Sequence, residues 1–280
     1  MWWLKEKRLI MVLPLMRCKL LLRGLYLGLL FFYLPYQSKA WGILGHRIVG
    51  EIASSHLTPK ARKEIQRILG TESVAMASNW ADLIKSDAAY KYLNPWHYIN
   101  FDSALSYTQM QQYLKRDTAT DAYTKLNFLV KQLKKKNLPQ YKKLMYLRLL
   151  IHIAGDVHQP FHAARNGDTG GNDIRVSWFG KSSNIHRVWD EQLIDFQKLS
   201  YTEYTTAINH VTKKQKSIWQ KQSVSKWIYD TYRTSEQLHR ELRSNHKLSF
   251  EYNFKHINTL NEQLQKGGIH LATLLNQIFR

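Results

Sequence analysis

Cysteine is almost absent from this sequence: its 280 residues include one, Cys18. A single thiol cannot form an internal disulfide, and residues 41–280 contain none, so an apolar core or a bound metal has to hold the chain together. Linkers, low-complexity segments and repeats of fixed period are also absent from Trp41 onward. Residues 41–280 are therefore predicted to form one domain.

The apolar run Leu25–Leu34 is too short to cross a bilayer comfortably, which takes about 20 residues. It follows a basic segment and is followed by Ser38-Lys39-Ala40, which has small residues where a signal peptidase cuts. This order predicts a signal peptide over residues 1–40, cleaved after Ala40, and a secreted or periplasmic protein. An uncleaved anchor starting near Leu9 is the alternative, although three basic residues would interrupt it.

Acidic residues are scarce: 21 Asp and Glu stand against 41 Lys and Arg, which gives a formal net charge of +20 at pH 7. Residues 1–40 hold seven of the basic residues and one acidic residue, so residues 41–280 retain +14. This excess favours anionic partners such as nucleic acid or an acidic lipid surface, and a merely solvated basic surface is the alternative.

Apolar residues at helical spacing dominate the chain after Trp41. Thr58 is a predicted N-cap, Pro59 a first helical residue and Gly70 a stop. Glycines and an alternating apolar pattern within 166–186 predict a short β-hairpin. The predicted fold class is all-α, a single mostly helical domain with this hairpin as its insert. Helices are predicted over 46–57, 58–70, 104–117, 120–137, 187–195, 203–219, 224–242 and 258–279, with one starting within 77–90 and a long one from about Gln140.

The stretch HIAGDVHQPFH, residues 152–162, places three histidines and an aspartate at the end of the long helix. His152 and Asp156 lie one helical turn apart, and His186 and Asp190 repeat this spacing. A buried carboxylate without a partner is strongly unfavourable, whereas zinc binds imidazole nitrogen and carboxylate oxygen together. The two pairs therefore predict a metal site in preference to isolated His–Asp contacts.

Other candidate ligands lie outside these pairs. A bend at Pro160 frees His162 to point elsewhere, and His46, Asp82 and His97 are lone candidates that would each also suit a core or capping role. His158 lies roughly 200° around the helix from Asp156, so it is not counted as a ligand and is expected behind the ligands or at the surface. The remaining histidines lack ligand spacing and are interpreted as ordinary surface or core residues: His56, His210, His239, His246, His256 and His270.

Six motifs in this order resemble the zinc-dependent single-strand nucleases of fungi, plants and bacteria, the family that includes mung bean nuclease. They are an N-terminal Trp with His five residues on (Trp41 and His46), WAD at 80–82, WHY at 96–98, HIAGDVHQPFH, GGN at 170–172 and NIHRVWD at 184–190. The resemblance covers residues 41–280. It implies an all-helical fold around three clustered zinc ions.

The resemblance also implies a ligand set for each ion. The first zinc would be held by Asp82, His97, His152 and Asp156, and the second by His162, His186 and Asp190. The third would use His46, Asp156 as a bridge, and the backbone amine and carbonyl oxygen of Trp41. Fungal members use disulfides, so this chain is expected to depend more heavily on zinc for stability.

Further roles follow from the resemblance. Asp82 would orient the attacking water as well as bind zinc. Lys85, one turn later, matches a position where the family often has a cationic phosphate contact, with a solvent-facing lysine as the alternative. Asn172 matches a polar contact to the substrate beside the metals. Gly170 and Gly171 would allow close backbone approach there, or merely form a turn.

Base recognition is implied for two residues. Tyr98 matches the aromatic residue on which unpaired bases stack. Asn100 stands where fungal members carry Asp for contacts to a base edge, and its amide both donates and accepts hydrogen bonds.

The implied function is hydrolysis of single-stranded DNA and RNA to 5′-phosphorylated products, with 3′-nucleotidase activity. Zinc-bound hydroxide would attack phosphorus in line with the departing 3′ oxygen. The mature enzyme would be a monomer without a membrane span. The first alternative is a secreted zinc phospholipase C of the same superfamily. The second is an exported helical binding protein whose zinc is structural.

Overall fold

A computed structural model of the protein describes residues 41–101, 105–243 and 245–280. The signal peptide predicted for residues 1–40 lies outside the described residues. The described chain is mostly helical with only short strands, which confirms the predicted fold class. None of its described helices is both long and apolar enough to cross a membrane.

Helices make up most of the described domain, and its short strands form two small sheets. The helices are α1 Ile43–Ser55, α2 Pro59–Leu69, α3 Val74–Ala77, α4 Trp80–Leu83, α5 Tyr107–Arg116, α6 Ala122–Leu133, α7 Gln140–Asp156, α8 Ile185–Arg187, α9 Leu193–Phe196, α10 Tyr201–Ile208, α11 Lys213–Gln220, α12 Val224–Leu242 and α13 Phe250–Ile278. The strands are β1 Ile99–Phe101, β2 Ala163–Arg165, β3 Arg175–Trp178, β4 Lys181–Asn184 and β5 Lys247–Leu248. Segments of 3₁₀ helix cover Ile84–Ser86, Ala88–His97 and Pro160–His162, and a π-helical turn covers Val188–Gln192.

The residues at the two ends of α2 match the predicted cap and stop. The Thr58 side chain accepts a hydrogen bond from the Ala61 amide, Pro59 is the first residue of α2, and Gly70 follows its last residue, as the sequence predicts. These residues suit the two ends because an N-terminus has free N–H groups and a C-terminus favours glycine.

Two regions with continuous helical spacing are interrupted in the structure. Residues 203–219 form α10 and α11 instead of one helix, because Thr212 and Gln215 form a capping box that begins a new helix. Residues 77–90 divide into α4 and 3₁₀ turns, and Asp87 caps the second turn by accepting from the Ala89 amide. Such side-chain bonds to the backbone compete with a continuing helix, and apolar periodicity alone does not reveal them.

Helix α7 lies in the middle of the core, and all its residues from Leu149 to Asp156 are buried. Helix α13 packs along α1 so closely that a Cβ on Gly268 would lie 2.4 Å from the Ile52 side chain, so glycine is required there. Because the end of α7 is buried on every side, its polar residues His152 and Asp156 have to find partners inside the protein.

The strands bring distant motifs together. Strand β1 pairs in parallel with β2, with Ile99 opposite Ala163, so the residues that follow His97 lie beside those that follow His162. Strands β3 and β4 form the predicted hairpin, and β5 adds to β3 in parallel. The sequence predicts the hairpin but not β1, β2 or β5, because two or three residues are too few to show an alternating pattern.

Candidate metal centre

The carboxylate of Asp156, at the end of α7, lies at the centre of a buried group of imidazoles. Its Oδ2 atom is 2.9 Å from His97 Nδ1 and 3.1 Å from His152 Nε2, and its Oδ1 atom is 3.3 Å from His46 Nε2. Asp82 lies at the edge of this group, with its Oδ1 atom 3.7 Å from His152 Nε2. Four helical segments therefore supply side chains to one point.

The His152 ring is fixed by a main-chain hydrogen bond. Its Nδ1 atom donates to the carbonyl oxygen of Ser78 at 2.6 Å, so its Nε2 atom carries the lone pair that faces the cluster. The ring also stacks on His46 at 3.9 Å between centroids. A metal-binding histidine is oriented in the same way, by a hydrogen bond from its other nitrogen.

A second group consists of His162, His186 and Asp190. The Nε2 atoms of the two imidazoles lie 3.2 Å apart, and His186 Nε2 is 2.9 Å from Asp190 Oδ2. Asp190 lies in the π-helical turn Val188–Gln192, an element that often occurs at functional sites.

Each member of the second group has an orienting partner. His162 Nδ1 donates to the carbonyl oxygen of His97 at 2.8 Å, and His186 Nδ1 donates to that of Gly170 at 2.6 Å. The side-chain nitrogen of Gln159 donates a hydrogen bond to the Asp190 carboxylate. Gln159 lies within the histidine-rich stretch, but its orienting role has no signal in the sequence, because it depends on where Asp190 lies.

The start of the described chain also reaches this region. The Trp41 indole nitrogen donates to the carbonyl oxygen of Gly155 at 2.8 Å, and the Gly42 amide donates to that of Asp190 at 2.8 Å. Trp41 is fully buried. In the full sequence the Trp41 nitrogen belongs to a peptide bond, so its predicted role as an amine ligand would apply only to a chain cleaved after Ala40.

Several buried polar atoms of this region lack hydrogen-bond partners. Among the described residues, His46 Nε2, His97 Nε2 and Asp156 Oδ1 are buried and make no hydrogen bond. His152 Nε2 also lies only 2.9 Å from His97 Nδ1. Such an arrangement is unfavourable in an apolar interior unless a cation lies between the groups. Imidazole nitrogens and carboxylate oxygens are a donor set that suits zinc, so the residues present fit the predicted metal.

The arrangement yields three candidate triads, in each of which the potential ligand atoms lie within 4.8 Å of one another. The third triad is the set predicted for the second zinc. The first two triads share His152. They separate Asp156 from Asp82 and His97, whereas the resemblance assigns these three residues to one ion. The triads are His46, His152 and Asp156; Asp82, His97 and His152; and His162, His186 and Asp190.

Burial keeps two of the candidate ligands in the form that binds metal. It lowers the pKa of His97 to about 4 and that of His162 to about 3, so both rings are neutral at pH 7. A neutral imidazole has a free lone pair for a cation.

The carboxylates respond to burial in different ways. Burial by itself raises the pKa of Asp82, but His152 and Lys85 outweigh it and lower the pKa to about 2. The pKa of Asp156 is also lowered, because the nearby His152 outweighs burial. Burial raises the pKa of Asp190 to about 6. Asp82 and Asp156 are therefore ionised throughout the neutral range.

Three predicted substrate contacts differ in their surroundings. Lys85 Nζ lies 2.6 Å from Asp82 Oδ1 and its side chain is only 15% exposed, so it is not simply a solvent-facing lysine. Tyr98 follows His97 and is 44% exposed, as a stacking surface requires. The side-chain oxygen of Asn100, on β1, is buried and has no hydrogen-bond partner among the described residues.

The GGN segment lies against the second group. Gly170 has a φ of 61°, and a Cβ there would lie 2.7 Å from the carbonyl oxygen of Phe161, so only glycine fits. The segment does more than turn the chain, because Gly170 also orients His186. The side-chain nitrogen of Asn172 donates to the carbonyl oxygen of Thr169 at 2.8 Å, so the side-chain oxygen takes no part in that bond.

His158 lies apart from the cluster, as its position on the helix predicts, but it is buried in the core, whereas the sequence predicts a position behind the ligands or at the surface. Its Nδ1 atom donates to the carbonyl oxygen of Ala154 at 2.7 Å, and its Nε2 atom is 2.7 Å from His270 Nδ1. Both rings are buried, so these two histidines are core residues bonded to one another.

Comparison with known proteins identifies relatives along the whole domain. The family model described as S1/P1 Nuclease matches residues 41–280. Endonuclease 2 of Arabidopsis thaliana is 28% identical over 85% of this chain and 90% of its own length. Nuclease S1 of Aspergillus oryzae is 32% identical over 55% of this chain and 54% of its own length, and Nuclease P1 of Penicillium citrinum is 29% identical over 58% and 63%.

Proposed function

This chain belongs to the S1/P1 nuclease family, and from that membership we propose that it is a zinc-dependent endonuclease of single-stranded DNA and RNA. Its products would be 5′-phosphorylated, and it would also release phosphate from 3′-mononucleotides. The observation that supports this function best is the buried cluster of five histidines and three aspartates, whose unpartnered atoms face one another beside an exposed tyrosine.

We propose the ligand sets that the resemblance implies, in which Asp156 would belong to both the first and the third set. Zinc ions bound here would supply Lewis acidity and lower the pKa of water near neutrality. The protein side chains would do the rest. Asp82, ionised at neutral pH, would orient the attacking water, and Lys85 would contact a phosphate oxygen from its position beside Asp82.

Substrate recognition is proposed to combine stacking with polar contacts. Tyr98 would stack on an unpaired base, and Asn100 would hydrogen-bond to the base edge. Asn172 would contact the substrate next to the second group. Bases within a duplex are stacked on one another and cannot lie on Tyr98, which accounts for a preference for single strands. The net charge of residues 41–280 would attract the polyanion.

Location and assembly complete the proposal. Residues 1–40 would be removed after Ala40, and the mature protein would be secreted or periplasmic and act as a monomer. Residues 41–280, the same range as the family match, would form the nuclease domain.

A comparison of substrates tests this function. Mature protein is incubated with single-stranded DNA, RNA, a 3′-mononucleotide and phosphatidylcholine vesicles, each before and after chelation. We expect metal-dependent cleavage of both nucleic acids and release of phosphate from the mononucleotide. Hydrolysis of phosphatidylcholine with intact nucleic acids would contradict the proposal and identify a phospholipase C.

Replacing Tyr98 by alanine is expected to raise KM for a single-stranded oligonucleotide about tenfold with a smaller change in kcat. Stacking of one base contributes about 1–3 kcal/mol, and about 1.4 kcal/mol corresponds to a factor of ten. Steady-state kinetics measure the effect. Tyr141→Ala is the control, because Tyr141 is 69% exposed at the start of α7. An equal change in both variants would exclude a stacking role for Tyr98.

An extra methionine before Trp41 is expected to leave the mature protein with two zinc ions instead of three. A backbone amine binds metal only when it is free and deprotonated, and its ordinary pKa is about 8. Zinc per protein is measured by elemental analysis, with a protein extended after Arg280 as the control. Three zinc equivalents in the N-terminally extended protein would exclude Trp41 as an amine ligand.

A further inference from the structure

Two ion pairs join helix α12 to the segment that follows the histidine-rich stretch. Arg165, on β2, pairs with Glu236, with Arg165 Nη2 2.8 Å from Glu236 Oε2. Three residues further along the helix, His239 Nε2 lies 2.5 Å from Asp168 Oδ2. The two pairs are alike in chemistry, but only the second bonds to the GGN segment.

Both nitrogens of His239 face oxygen atoms. The Nδ1 atom is 2.7 Å from the carbonyl oxygen of Ser235, which can only accept a hydrogen bond, and Nε2 faces the carboxylate of Asp168. The ring therefore donates from Nδ1 to its own helix and pairs with the Asp168 carboxylate through Nε2. His239 is 9% exposed, and the centroid of its ring lies 5.4 Å from that of the Phe161 ring. Its orientation is therefore fixed by packing as well as by hydrogen bonds.

Asp168 connects His239 to the loop of residues 168–173, which contains the GGN segment. Its Oδ1 atom accepts a hydrogen bond from the Gly171 amide at 2.9 Å, while its Oδ2 atom is held by His239. The loop needs such support because Thr169 has a φ of 52°, a left-handed conformation that β-branched residues rarely adopt. A strained residue keeps this conformation only where its surroundings impose it.

The loop in turn bears on the second group of candidate ligands. Gly170, between Thr169 and Gly171, accepts the hydrogen bond from His186 Nδ1 at 2.6 Å. That bond determines which nitrogen of His186 faces His162 and Asp190. Asn172 lies in the same loop and is bonded to Thr169 through both its amide and its side chain. A series of hydrogen bonds thus connects α12 to a proposed zinc ligand and to a proposed substrate contact.

We propose that Asp168, held in place by His239, is a positioning residue for the second metal group. It fixes the loop so that Gly170 orients His186 and Asn172 faces the substrate, although neither Asp168 nor His239 touches metal or substrate. This inference rests on the proposed zinc-dependent function. It gives a role to His239, which has no ligand spacing in the sequence.

The test compares Asp168→Ala with Glu236→Ala in the mature protein. Each variant removes one carboxylate from the junction between α12 and the 163–173 segment, so each loses one ion pair. Zinc affinity is measured by competition with a chromophoric chelator, and the fold is checked by circular dichroism. Loss of a residue that orients a metal ligand typically weakens metal binding 10–100-fold.

We expect Asp168→Ala to weaken the binding of one of the three zinc ions about tenfold and to raise KM for a single-stranded oligonucleotide at saturating zinc. Glu236→Ala should retain the wild-type zinc affinity and KM. Asp168→Asn should restore most of the affinity, because its side-chain oxygen still accepts from the Gly171 amide and its side-chain nitrogen still lies against His239 Nε2.

Wild-type zinc affinity in folded Asp168→Ala would overturn the inference, and so would an equal loss in Glu236→Ala. If Asp168→Ala does not fold, His239→Ala decides. It keeps the bond from Asp168 to Gly171 but removes the anchor, so unchanged affinity for all three ions would count against the inference. The proposed function fails separately, if the wild-type protein cleaves no nucleic acid with zinc bound.

Discussion

Removing the metal with EDTA is expected to lower the melting temperature of the mature protein by more than about 10 °C. An ion present at a thousand times its dissociation constant stabilises the folded state by about 4 kcal/mol. In a domain of about 150–250 residues, 1 kcal/mol shifts the melting temperature by roughly 2–4 °C. One tightly bound ion therefore accounts for the expected shift, and three would enlarge it.

The physical cause lies in the buried cluster. Without a metal ion, His46, His97 and Asp156 keep unpartnered atoms in the interior. Residues 41–280 have no cysteine, so no disulfide offsets this cost. The folded state is then destabilised at the point where several helices meet.

Calorimetry before and after chelation measures the effect, and titration with Zn²⁺ should restore the original melting temperature. Adding Mg²⁺ to the chelated protein is the control. Magnesium prefers octahedral sites of oxygen ligands, so it should not restore stability at a site rich in imidazole. An unchanged melting temperature after verified loss of zinc would argue against the cluster as structural support.

Replacing Asp82 by asparagine is expected to lower kcat by about 10²–10⁴, the range typical of a group that handles a proton in the transition state. The pKa of Asp82 is about 2, so the wild-type side chain carries a negative charge at every pH above about 3. Asparagine keeps the shape and one oxygen but lacks the charge that orients an attacking water and pairs with Lys85.

The informative comparison is with Asp230→Asn. Asp230 also pairs with a lysine close in sequence, Lys226, but lies on α12 outside the three triads. We expect Asp82→Asn to remain folded and to bind zinc while losing activity, and Asp230→Asn to keep all three properties. Nuclease activity retained in zinc-loaded Asp82→Asn would remove Asp82 from the mechanism.

This comparison also separates catalysis from a purely structural metal. If zinc only supported the fold of an exported binding protein, Asp82→Asn would alter stability and no activity would exist to be lost. An inactive variant that retains its fold and zinc would favour catalysis.

The histidine-rich stretch shows why much of the site could be predicted. His152 and Asp156 share a helix face because of the helical repeat, and so do His186 and Asp190. The order of six motifs then implied the remaining ligands. The structure places all eight predicted side-chain ligands in the three triads.

The outer contacts could not be predicted in this way. Gln159 faces Asp190 because of the bend at Pro160–His162, and the carbonyl oxygen of Ser78 reaches His152 across 74 residues of sequence. A glutamine or a main-chain carbonyl has no distinctive spacing. Its role depends on which atom lies opposite, and only the packed structure shows that.

The sequence by itself determined the helical class, the hairpin within 166–186 and the pairs of ligands one turn apart, since each follows from the repeat of a helix or strand. Tertiary structure alone decided that β1 pairs with β2, that Asp156 lies among His46, His97 and His152, and that His239 reaches Asp168. These contacts join residues far apart in the chain, and their geometry follows from how α1, α7, α12 and α13 fill one core.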